Sequence, residues 1–194
     1  MSEFEFLFAL YALLLGLSLV SLLGGLGNAL ERAFAEGARD ERSEQFRIGW
    51  LSPLMAVFVV LDLMSFWAFA WLVRDLVAVN TPTLLGVVVF ASAYYLAARL
   101  VFPGDPRRFE DLDVHYFRVH RTILAILVVL VLVQWTYLLS LEQLRSALLE
   151  PITIGATVVF VALMIAGIFV RRTGWQIALL SLLIARYLVL YLIA

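Results

Sequence analysis

Six runs of apolar residues recur along the chain, each about 18–25 residues long, the length at which a helix rising 1.5 Å per residue crosses a ~30 Å hydrocarbon layer. They cover about 4–26, 48–72, 83–102, 122–139, 152–170 and 175–194. The runs are continuous and do not alternate, so they do not read as the strands of a closed β-barrel. With 64% of residues apolar and 15% charged, no water-filled surroundings suit them. The expected fold is all-α: a polytopic bundle of six transmembrane helices forming one domain, with no soluble domain. The first run follows Glu3 and Glu5, where a secretion signal would carry positive charge, and is expected to stay as a helix.

Counting residue types removes several chemistries. All 14 basic residues are arginine, so no lysine can form a Schiff base with retinal or pyridoxal phosphate. Cysteine is absent and histidine occurs only at His115 and His120, which leaves no Cys/His zinc site, iron–sulfur cluster or bis-histidine dihaem. No Walker-type phosphate loop is present, and a net charge of −1 offers no general attraction for nucleic acid. No cofactor or metal is expected, and no nucleic-acid partner. Membrane lipid is the expected surrounding, with a second copy of the chain or another membrane protein as the partner to look for.

Orientation follows from the arginines, which favour the cytoplasmic side. Eleven of the fourteen fall in or beside the first, third and fifth loops, and two, Arg74 and Arg145, fall in the second and fourth. This places those three loops in the cytoplasm and both termini outside. The arginine-for-lysine bias suggests a bacterial inner membrane.

Two cytoplasmic segments are longer than turns. The segment 28–47 continues helix one and then carries the mixed-charge run Arg39 to Glu44, read as a solvated connection. In 103–121, Asp105 followed by Pro106 resembles a helix start, with Phe109, Leu112, Tyr116, Val119 and Ile123 at helical spacing after it. This would carry helix four unbroken from the cytoplasm into the bilayer. It also holds Asp111, Asp113, His115 and His120. Asp111 and His115 lie four apart, as a carboxylate-oriented base would, yet a hydrated headgroup-level helix explains the cluster better than a lipid-modifying enzyme. No residue is assigned a catalytic role.

The candidate site lies within the spans. Asp62, Gln134 and Arg186 each stand 13 or 14 residues from the cytoplasmic ends of spans two, four and six, all about 20 Å deep. A lone charge near the bilayer centre costs about 2.5–3.5 kcal/mol on insertion scales, so Asp62 is expected to pair with Arg186, with Gln134 in reach. Phe66, Phe69, Trp71, Trp135, Tyr137, Tyr187 and Tyr191 stand outward of this layer and could line a vestibule, although an interfacial aromatic belt is the simpler account. The functions consistent with the layer are proton or small-solute transport, ligand binding, or a non-catalytic scaffold that docks partners through its arginine-rich face.

Small residues four apart, Ser21/Gly25, Ala93/Ala97 and Ala162/Ala166, predict close packing of spans one, three and five, inward or between copies. Recurring Pro/Gly and Gly-Trp openings hint at three tandem helical hairpins.

Overall fold

The computed structural model describes residues 3–37, 46–77, 80–105 and 111–193. It contains seven α-helices among these residues: α1 (Glu3–Gly37), α2 (Leu51–Leu72), α3 (Thr81–Val101), α4 (Leu112–Ser140), α5 (Glu142–Leu148), α6 (Pro151–Phe169) and α7 (Thr173–Ile193). All but α5 are long and apolar enough to cross a membrane. The protein is therefore an all-helical chain of multi-pass membrane character. Its outer faces carry large apolar side chains, such as Phe34, Ile152, Phe169 and Leu192, which suits a lipid-facing surface.

Local sequence sets the helix ends. Asn80 caps α3 by accepting from the Thr83 backbone N–H at 2.9 Å, with Pro82 in the first turn. Pro151 likewise stands in the first turn of α6, which has no side-chain cap. At 35 residues α1 is about 52 Å long, well beyond a ~30 Å core, so it continues past a single span as the sequence suggests, with Ala29 and Ala33 still packed on the core. Contrary to the expectation from sequence, helix four does not run unbroken from Asp105 into the span. Asp111 is extended and caps α4 itself, accepting from Asp113 N–H at 2.7 Å, so the helix that crosses begins at Leu112. Pro106 to Glu110, like the run Arg39 to Glu44, lie outside the described residues.

The most extensive pairings are α1 with α3, α3 with α4, α4 with α6, and α2 with α7. This is not the packing of three equivalent hairpins, since α1 packs on α3 but α3 has no comparable contact with α6. Close approach of α1 and α3 rests on small residues, as expected. A Cβ on Gly25 would come within 2.6 Å of Phe102 Cβ, and Ala91, Ala97 and Ala98 are buried on α3. On α6 the close point is Gly167, where a Cβ would meet Leu124 Cδ1 at 2.9 Å. Ala162 is exposed, so that predicted small pair does not face inward.

Candidate functional site

Asp62 sits on α2, the helix that touches α1, α3, α4 and α7, and is fully buried. The Tyr94 hydroxyl from α3 donates to one of its carboxylate oxygens, and the Tyr187 hydroxyl from α7 donates to the other. Two neutral O–H donors thus satisfy both oxygens without stripping water from a guanidinium. The expected direct ion pair with Arg186 is not formed. Tyr187 and Arg186 are neighbours on one helix and point about 100° apart, so once Tyr187 faces α2 its neighbour cannot. The guanidinium instead lies over the Phe160 ring at 4.1 Å and beside Tyr187 at 5.3 Å, within electrostatic reach of Asp62.

Aromatic rings enclose this carboxylate. Phe58, Phe160 and Tyr187 meet with centroids 5.6–6.2 Å apart on one side, and Phe66 packs edge-on to both Tyr94 and Phe90 at 5.2 and 5.0 Å on the other. Sequence reading missed Tyr94. Its signal was available: a mid-span tyrosine in an apolar helix needs a hydroxyl partner, and Asp62 is the strongest acceptor within the spans.

A cavity of about 420 Å³ opens beside this cluster, where α1 and α3 begin and α2 and α4 finish. Phe66, Phe69, Tyr137 and Gln134 of the predicted residues line it, joined by Tyr11 and Phe90. The other aromatics lie elsewhere. Trp71 packs on Phe8 at 5.2 Å, Tyr191 bonds the Leu61 carbonyl at 3.3 Å and stacks on Tyr187, and Trp135 packs half-buried against the core. Among the described residues no charged one lines the cavity. Tyr11 is buried at 7% exposure, and among the described residues neither its hydroxyl nor the Gln134 amide has a hydrogen-bond partner. No known protein family, curated protein or solved structure matches the chain. The site's chemistry therefore rests on its own residues.

The acidic and histidine cluster at the opposite end has a structural explanation. Asp113 reaches across to α2 and accepts from Leu51 N–H at 3.1 Å, while Asp111 caps its own helix. His115 Nε2 lies 3.0 Å from the Leu100 carbonyl near the end of α3. The Arg47 carbonyl accepts from Leu112 N–H at 3.0 Å, and Ser52 Oγ donates to the Leu112 carbonyl. These bonds tie the ends of α2, α3 and α4 together. Asp111 and His115 thus each hold a helix end, at about 1 kcal/mol apiece.

His120 departs further from a hydrated headgroup-level position. It is 1% exposed, stacked on Tyr116 at 5.2 Å, and among the described residues neither of its ring nitrogens has a hydrogen-bond partner. Beside it Gln176 joins three helices, accepting from Tyr116 at 2.8 Å and donating to the Gly167 and Val170 carbonyls at 2.7 Å each. Among the described residues no group of three or more potential metal ligands comes together.

Proposed function

We propose that this chain is a ligand-binding protein of a bacterial inner membrane, with both termini on the outer side, and that its ligand occupies the cavity between α1, α2, α3 and α4. The observation that carries the reading is a cavity whose described lining is uncharged and holds polar side chains, Tyr11, Gln134 and Tyr137, that have no hydrogen-bond partner among the described residues. Binding sites are largely apolar with a few placed polar groups, and a volume of this order suits a small molecule. Asp62 supports the transport reading less well, because it is sealed from solvent and both its oxygens are engaged. We assign Asp62 to holding α2 against α3 and α7 behind the cavity wall, and Arg186 to packing α7 on α6.

Gly86 gives the test. It lines the cavity, and a Cβ placed there meets nothing within 4 Å, so a side chain added at this position starts in open space beside the cavity. Protein purified in mild detergent should carry a neutral, solvent-extractable compound detectable by mass spectrometry. Gly86→Trp should lose it while keeping its melting temperature within about 2 °C, and retention of the same compound would refute the cavity assignment.

The orientation rests on the arginine distribution. Reporter fusions after Ala194 should report an exterior location and fusions within 39–44 a cytoplasmic one. A cytoplasmic signal at Ala194 would place the cavity at the inner leaflet.

A further inference from the structure

We infer that the ligand of this cavity is an uncharged planar ring that bears hydrogen-bond-accepting carbonyls and carries an apolar chain, the chemistry of a lipid-soluble quinone. The inference rests on the ligand-binding reading above and narrows it. None of the described lining residues is charged, which argues against fatty-acid carboxylates and phospholipid headgroups, whose charge would be buried without a counter-ion among them. Six of the lining residues are aromatic, and Phe66 and Phe90 form an edge-to-face wall at 5.0 Å against which a flat ring packs well.

The polar groups supply the rest. Tyr11 and Gln134 come from α1 and α4, and each offers an N–H or O–H donor with no partner among the described residues, as does the more exposed Tyr137 hydroxyl. A simple alcohol or a hydrocarbon chain would engage one of them or neither. A ring with two separated carbonyl acceptors can engage both. Thr83 does not compete, because its hydroxyl is committed to Asn80 at 2.9 Å. The apolar chain would leave between the α1 and α3 ends, where Leu7, Pro82 and Gly86 continue the lining.

The test uses the full chain in detergent or nanodiscs with two probes of equal chain length, decylubiquinone and decylbenzene. Decylubiquinone should raise the melting temperature and quench tryptophan fluorescence saturably, with decylbenzene at least tenfold weaker. Tyr11→Phe and Gln134→Leu, which remove donors and keep shape, should each weaken decylubiquinone roughly five- to tenfold without moving the unliganded melting temperature. Equal binding of both probes, or quinone affinity indifferent to both variants, would overturn the carbonyl inference while leaving an apolar ligand site standing. If neither probe binds and Gly86→Trp changes nothing that co-purifies, the cavity is no ligand site and both readings fall.

Discussion

Replacing Asp62 by alanine should lower the stability of the detergent-solubilised protein by about 2–4 kcal/mol, the largest effect expected of any change within the spans. The loss has two sources: the Tyr94 and Tyr187 hydroxyls, both buried, lose their acceptor, and α2 loses its polar attachment to α3 and α7 at once. Partners found in the unfolded but membrane-inserted chain keep the figure below what the same change would cost in a water-soluble core. Asp62→Leu combined with Tyr94→Phe and Tyr187→Phe should recover most of the loss, since it leaves no orphaned donor. Arg186→Leu should cost only about 1 kcal/mol, the scale of a cation–π contact with Phe160. Thermal or denaturant melts decide the matter. Asp62→Leu with Arg186→Leu should be nearly additive, and recovery in that pair would mean that the two charges bond directly.

That outcome separates what the sequence carries from what only packing supplies. The six spans were legible because bilayer thickness acts on length and hydropathy alone, which reside in consecutive residues. The importance of Asp62 was legible too, because a carboxylate among Leu, Val and Phe has a cost wherever its partners are. Its partners were not. Equal depth along the helices placed Arg186 beside it, but depth leaves rotation free, and a 100° turn of α7 puts Tyr187 in contact and Arg186 on Phe160. Gln134 shows the same gap, since its depth matched Asp62 while α4 turns it into the cavity. The acids at the start of α4 were misread for a related reason: spacing in one segment compares Asp111 with His115, whereas Asp113 serves Leu51, 62 residues away. Positive φ at Gly49, which makes that contact feasible, is invisible in a Gly-Trp pair read alone.

At that junction Gly49→Ala should destabilise the protein by about 2–3 kcal/mol, the second-largest effect expected. Gly49 has φ of +63°, where a side chain costs about 1–2 kcal/mol, and an added Cβ would lie 2.2 Å from Asp113 Oδ1, so the carboxylate must move. Moving it withdraws the acceptor from Leu51 N–H and leaves the start of α2 without its cap. Asp113→Ala removes the same cap directly, at about 1 kcal/mol. Once the carboxylate is gone, Gly49→Ala retains only its backbone strain, so the double variant should be more stable than the two single losses predict by about 1 kcal/mol. Melts of the four proteins measure that coupling, and amide exchange at Leu51 should accelerate in all three variants. Strict additivity would show that the Asp113 carboxylate does not sit against Gly49, and that α2 is held at this end by Ser52 and the Arg47 to Leu112 bond alone.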